Sequence, residues 1–506
     1  MSHWIAIPVV LPALTAAALV LLARGSIRLQ RAISLASAAL LVATSIGLWP
    51  TSAGGPQAYF VGDWPAPFGI VLVLDRLSAL MLLLASLIGS AALLYSIVGW
   101  DSRGRHFHAL FHFQLLGING SFLTGDLFNL FVFFEVMLIA SYGLMLHGGG
   151  PWRLKAGFQY VAINLVASTI FLFAVGLLYG LTGTLNMADL AMKVPGLPAG
   201  DHALLTVSAV LLFVVFAVKA AVVPLHWWLP STYAAGPAPA IALFAMLTKV
   251  GAYAIVRVHS LVFGVDTPAI SGLLQQLLLP AAMLTLVLGT IGVLASRRLL
   301  DLAAYSIVAS MGTLLVAAVG LDARQLAAAL YYLLHSTLAG AAMFLLVDVL
   351  AAVRGQAADR LVPAMAMPRN ALLGGLFLLG AIAMVGLPPL SGFVGKIVIL
   401  DSVRGTSGGM LVWAVILGAS LLMLTGYARA GSTLFWKTDR AHSAAQQTQS
   451  LRVVPLVVIA WLLASTFALS AFGGDVMAAM DATAREVMAP ERYVRAVLQP
   501  AMLAEH

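Results

Sequence analysis

The sequence predicts an all-α polytopic membrane protein of about fourteen transmembrane helices, and three observations carry that prediction. Of its 506 residues, 61% are hydrophobic and 9% charged; a soluble domain carries roughly 25% charged residues. Apolar runs recur from one end to the other, each long enough to cross a hydrocarbon core about 30 Å thick. Lipid offers the backbone no hydrogen-bond partners, so such runs must be helices.

The expected spans are residues 5–22, 32–48, 69–98, 109–123, 127–146, 160–181, 204–228, 238–263, 272–295, 302–319, 326–353, 371–403, 409–434 and 453–472. The first has no basic stretch ahead of its apolar run and so reads as a span, not as a cleaved signal peptide. Residues 473–506 mix apolar and charged side chains and read as an interfacial amphipathic helix. No loop is long enough to bury a core of its own.

The chain has no cysteine, which excludes thiolate metal sites, iron–sulfur ligation and disulfides within it, and no cofactor is expected. Its net charge of +8 is spread through short loops, which speaks for membrane topology and against nucleic acid. One set of alternate loops holds Arg24, Arg28, Arg31, Arg103, Arg105, Arg153, Lys155, Arg297, Arg298, Arg354, Arg360, Arg369, Lys437, Arg440 and Arg452. The other holds little beyond Lys193, Arg324 and Arg404. The positive-inside rule makes the first set cytoplasmic and both termini external, in agreement with an even number of spans.

Two spans are interrupted. The seventh reads "VVFAVKAAVVPLHWWLP", with Lys219 followed by Pro224, and the twelfth reads "AMVGLPPLSGFVGKIVIL", with Pro388 and Pro389 ahead of Lys396. Proline removes an amide donor and clashes with the preceding turn, so carbonyls are freed at membrane depth. Broken helices at matching places in two halves are the mark of an inverted repeat with an ion site at mid-membrane. The expected division is residues 1–107 (spans one to three), 108–264 and 265–436 (inverted five-helix repeats, spans four to eight and nine to thirteen), and 437–506 (span fourteen and the tail). Two ordinary proline kinks without a repeat are the plainer alternative.

Of the ionisable residues inside these spans, six stand out: Glu135, Lys219, Lys249, His335, Asp348 and Lys396. A lysine or acidic residue costs about 2.5–3.5 kcal/mol near a helix centre even on the gentler insertion scales, so such groups usually face a cavity or a partner, and the functional reading is a relay of protonatable groups. Burial disfavours the charged form of a lone carboxylate or amine, whereas bringing the two together favours both charges. Glu135 and Lys219 therefore form a candidate pair that opens and closes, with a static salt bridge as the alternative. Lys249 is placed to take a proton onward, His335 to stand centrally and Lys396 to act as the exit group. Asp348 is expected to pair with Arg354. His226 reads as lining a cytoplasmic inlet. His108 and His112 have the i,i+4 spacing of a metal pair but no evident third ligand, so no metal is expected.

The stretches "LTGDLFNLFVFFEVMLIASYGLMLHG", "LYGLTGTLNMADLA", "VKAAVVPLHWWLPSTYAAGPAPAIALFAMLTKVGAY" and "GLPPLSGFVGK" together resemble the antiporter-like subunits shared by respiratory complex I and the multi-subunit Mrp (multiple resistance and pH) cation/proton antiporters. Within that superfamily the chain is most similar to the D subunits of the Mrp type. The resemblance covers nearly the whole chain. It implies a fourteen-helix fold with two inverted repeats, and it puts Glu135, Lys219, Lys249 and Lys396 at the family's proton-path positions, with His335 between them. It also implies work inside a hetero-oligomeric complex in a bacterial inner membrane that exchanges H⁺ for Na⁺ or K⁺. The alternative is a proton-pumping membrane-arm component of a complex I-like NADH:quinone or hydrogenase-linked oxidoreductase. The "GTLNMADL" wording and the lack of a long lateral helix at the C-terminus favour the antiporter.

Overall fold

The computed structural model describes residues 3–21, 25–264, 267, 270, 272–320, 322–406, 408–437 and 451–502. Arg24 and Arg440, counted above among the basic loop residues, lie outside the described residues.

The chain runs α1 (Ile7–Leu21), α2 (Ile27–Thr51), a hairpin of β1 (Gln57–Phe60) and β2 (Val71–Leu74), then α3 (Arg76–Ser96), α4 (Phe107–Leu123), α5 (Leu127–Met145), α6 (Pro151–Thr182) and α7 (Met187–Lys193). It continues through α8 (His202–Lys219), α9 (Trp228–Ala235), α10 (Ala238–Val258), α11 (Leu273–Ala295), α12 (Leu299–Ala318) and α13 (Ala323–Val353). The last elements are α14 (Asn370–Val385), α15 (Ser391–Ser402), α16 (Gly409–Gly431), α17 (Val453–Ala471), α18 (Gly473–Val487) and α19 (Pro490–Met502).

Among the described residues, twelve helices are long and apolar enough to cross a membrane. They answer to twelve of the fourteen expected spans. The fourth span is the 17-residue α4, and the twelfth is divided into α14, of 16 residues, and α15, of 12. The protein is thus an all-α, multi-pass membrane protein.

One expected span starts too early. Residues 69–75 are not helical: Val71–Leu74 pairs antiparallel with Gln57–Phe60, and Asp75 then caps α3 by accepting from Ser78 N. A run of β-branched and leucine residues reads the same in a buried strand and in a helix, which is why hydropathy joined them.

The centre of the molecule is α10, every residue of which is buried. It packs on α3, α4, α5, α8, α12 and α13. By contrast α1, α2, α6, α11, α16 and α17 turn much of their apolar surface outward, as lipid-facing helices do. The tail is two amphipathic helices whose apolar face the bundle itself takes up: α18 packs on α13 and α3, and α19 on α7 and β1. Met480, Ala484, Val487, Tyr493 and Val497 are buried there.

Candidate proton-path site

The first break begins ahead of its proline. Lys219 is the last residue of α8, and Ala221 takes a left-handed conformation, φ +54°, that a side chain disfavours. The freed backbone is re-satisfied from neighbours: Val223 N donates to Thr285 Oγ1 of α11 at 2.9 Å, and Trp228 Nε1 donates to Val218 O at 3.0 Å. Gly251 of α10 sits against this turn, where an added Cβ would lie 2.5 Å from Ala220 N. Only glycine lets α10 come so close.

The Lys219 ammonium is 4% exposed as a residue and donates to Asn164 Oδ1 of α6 at 2.8 Å. Asn164 in turn donates to Tyr160 O at 2.8 Å. Glu135, half-buried on α5, accepts from Ser168 Oγ, one turn further along the same helix α6. The expected direct pair is not formed: no ion pair within 4 Å among the described residues joins Glu135 to Lys219. Helix α6 holds each of them by a neutral side chain.

Lys249 is wholly buried at the middle of α10, and its Nζ lies 3.3 Å from Met311 Sδ of α12, a weak acceptor. His335 on α13 has both ring nitrogens engaged. Nε2 donates to Ala383 O at 3.1 Å, since a carbonyl can only accept, which leaves Nδ1 to meet Ser391 Oγ at 2.8 Å. Gly392 makes room for this ring: a Cβ there would lie 2.7 Å from His335 Nε2 and 2.5 Å from Ala383 O.

The second break differs from the first. Lys396 follows it, lying within α15, and reaches back to donate to Val385 O, the last residue of α14, at 2.7 Å and to Ser420 Oγ of α16 at 2.8 Å. Pro388 and Pro389 lie in the gap between α14 and α15, and Ser470 Oγ of α17 donates to Pro389 O at 2.8 Å. Each broken helix thus leaves a lysine at its interruption, one before the gap and one after it.

One expectation changes. Asp348 does not meet Arg354: its Oδ2 accepts from Tyr95 OH at 2.7 Å and Trp100 Nε1 at 2.8 Å, while Arg354 donates to the carbonyls of Ala358, Arg360 and Val362. The arginine is drawn to carbonyls that its own loop leaves free. His226 sits half-buried in the first break, so the eight residues of α9, about 12 Å of helix, separate it from the loop at Gly236. His108 is turned to Asp101, with Nε2 3.2 Å from Oδ2, and Arg31 grips the same carboxylate at 2.6 and 2.8 Å.

Sequence reasoning passed over the neutral partners Asn164, Ser168, Ser391 and Ser420. Their i,i+4 spacing in "AINLVAS" was the available signal for the first two. It also passed over a second buried charge pair, Asp75 with Arg257, at the far end of α10.

Residues 124–423 match the family described as NADH:quinone oxidoreductase/Mrp antiporter, TM. The chain is 43% identical to the D subunit of a probable K(+)/H(+) antiporter from Rhizobium meliloti, covering 98% of both chains. It is 36% identical to the D subunit of the Na(+)/H(+) antiporter from Bacillus subtilis, covering 99% of this chain and 100% of that one. Among solved structures it resembles a chain of the Mrp complex from Dietzia at 28% identity and a TM-score of 0.87, covering 98% of this chain and 100% of that one. It shares its fold with a chain of respiratory complex I from Thermus thermophilus, at 24% identity and a TM-score of 0.80 over 96% of this chain and 99% of that one. Broken helices, buried lysines and these likenesses agree, and the chain belongs to the NADH:quinone oxidoreductase/Mrp antiporter transmembrane family, among its D subunits.

Proposed function

We propose that this chain is the proton-translocating subunit of a multi-subunit Na⁺(K⁺)/H⁺ antiporter in a bacterial inner membrane, with both termini on the outer side. Protons move along Glu135, Lys219, Lys249, His335 and Lys396, and His226 lines the inlet beside the first break. The reading rests chiefly on one observation: among the described residues no carboxylate forms an ion pair within 4 Å with any of the three buried lysines, which instead contact neutral groups, namely Asn164, Met311, and Val385 O with Ser420. A structural lysine at that depth is expected to be paired, since an unpaired buried charge is strongly unfavourable. An amine on neutral acceptors can take up and release a proton without breaking an ion pair.

The proposed pair Glu135–Lys219 works through α6. In one state each group rests on its own α6 partner; in the other the two meet, and the charge that collects on Lys219 is changed. Glu135 is half-buried, so its state is open to a neighbouring subunit. The cation antiporter names of the relatives at 36–43% identity favour exchange of protons for Na⁺ or K⁺ over a redox-linked arm.

The two-repeat division, α4 to α10 and α11 to α16, draws support from contacts that recur at a constant separation of 172 residues. A Cβ on Gly117 would meet Met137 N and one on Gly120 the Phe133 ring; a Cβ on Gly289 would meet Ala309 N and one on Gly292 the Tyr305 ring. Ser141 bonds Tyr160, and Thr313 stands against Tyr332.

The test is Lys219→Ala and Glu135→Ala in the assembled complex, in everted vesicles with a pH-sensitive dye. Cation-dependent proton movement should be lost in both, and exchange at the wild-type rate in either would sink the relay.

A further inference from the structure

Below Lys249 on the same face of α10 come Tyr253 and Arg257, at i+4 and i+8, so that Arg257 is about 12 Å further along the helix. Arg257 is 4% exposed and its Nη2 lies 2.6 Å from Asp75 Oδ2, the residue that caps α3. Its Nε donates to Tyr253 OH at 3.2 Å, and that hydroxyl donates to Phe122 O at 2.8 Å. The guanidinium also lies 5.4 Å from the Tyr253 ring centre and 5.3 Å from that of Tyr493.

Tyr493 belongs to α19, and α18 supplies Glu486, which accepts from Arg76 N at 2.8 Å and sits 3.7 Å from Arg76 Nε. The tail therefore roofs this pair. The charged and titratable groups around it are Arg76, Tyr253, Glu486, Tyr493 and, beside Tyr493, Asp126. Between Lys249 and the end of the bundle, the stripe thus ends in a buried ion pair under a lid made by a distant part of the chain.

We propose that Asp75 and Arg257 form the outer gate of the proton path, with Tyr253 linking the gate to Lys249. The inference rests on Lys249 being a path residue. A proton arriving from outside adds to the Asp75 carboxylate and makes it neutral, which releases Arg257 from its partner. With Arg257 released, the Tyr253 hydroxyl turns from Phe122 O, takes the proton from Asp75 and gives its own inward to the Lys249 amine; it then returns to Phe122 O and the ion pair closes again. Arg257 keeps its charge throughout, and while paired it holds off cations, as arginines lining selective pores do.

A gate and a structural bolt respond differently to neutralising the two partners one at a time. Arg257→Gln leaves a lone acceptor at the mouth and is expected to raise cation-independent proton leak about tenfold, whereas Asp75→Asn leaves a lone cation and is expected to slow exchange about tenfold without leak. Both are read in everted vesicles holding the complete complex, per unit of assembled complex. Adding Lys249→Ala to Arg257→Gln should abolish the leak, because the leak runs through Lys249.

Equal losses in both single variants, tracking the amount of complex assembled, identify a bolt and overturn the gate. If the single variants do not assemble, Tyr253→Phe decides, since it keeps the ring and the ion pair and removes only the linking hydroxyl. Exchange slowed severalfold supports the proposal, and wild-type exchange overturns it. Lys249→Ala alone separates the two readings: inactivity with silent gate variants sinks only the gate, and full activity sinks the proton path itself.

Discussion

The two halves of the bundle share their close packing and differ in their charge. In the first half Glu135 of α5 meets Ser168 of α6. In the second, 172 residues on, Ile307 of α12 meets Gly340 of α13, where a Cβ would lie 2.5 Å from Ile307 Cδ1. The close glycine contacts recur on both sides of this comparison, while the carboxylate does not. At this point of the packing one half carries a hydroxyl-to-carboxylate contact and the other an apolar one.

The sharpest way to break the comparison is to remove each counterpart. Glu135→Ala is expected to cut exchange by about 10²-fold, the usual loss when a positioned proton-transfer group is removed, while Ile307→Ala leaves the exchange rate per assembled complex unchanged. Dye-monitored exchange in vesicles checks both.

Next come the shared glycines. Gly117→Ala and Gly289→Ala each drive a methyl against backbone, and each is expected to cost about 1–3 kcal/mol of stability, equally in the two halves. Thermal unfolding of the detergent-solubilised complex measures this, and a clear inequality would argue against equivalent repeats.

Asn164→Asp probes the neutral contact that only the first half makes through α6. It gives Lys219 a carboxylate where a neutral amide now stands, which holds the ammonium in place, and exchange should fall about tenfold while the protein remains as stable as before. The smallest effect is at the loop after α3. Burial would raise the Asp101 carboxyl, but hydrogen bonds from Arg31 and His108 outweigh it and hold it at about 2. A carboxyl held low in the folded state adds stability that is complete above its unfolded value and lost as pH falls through the folded one. Melting temperature should therefore show no Asp101-dependent change from pH 7 to 5. It should fall toward pH 2 in a way that Asp101→Asn abolishes.

Much of the fold was legible because a 20-residue apolar run has one solution in lipid, and because "GLPPLSG" and "AAVVPLHWW" cannot remain helical. What was not legible depended on partners far away in sequence. The hairpin strand Val71–Leu74 has the same hydropathy as the α3 it precedes, and only its pairing with Gln57–Phe60 separates them. The charges of Glu135 and Lys219 point to a pair, but the neutral partners that α6 supplies to each depend on tertiary packing. Asp348 finds Tyr95 and Trp100, about 250 residues upstream, where a local arginine had seemed sufficient. The first break begins at Lys219, not at Pro224, because Gly251 draws the α8 end against α10 before the proline is reached.

That last contact has a mechanical meaning. Backbone meets backbone where Gly251 touches the turn after Lys219, two residues from Lys249, with no side chain to act as a bearing. The two lysines are therefore carried by one rigid part, a stator. Movement that alters the surroundings of Lys219 is then expected from α6, whose hold on it is one exchangeable hydrogen bond, from Nζ to Asn164 Oδ1. Spin labels on α6 should report distance changes relative to α10 during turnover, and labels on α8 near Lys219 should not.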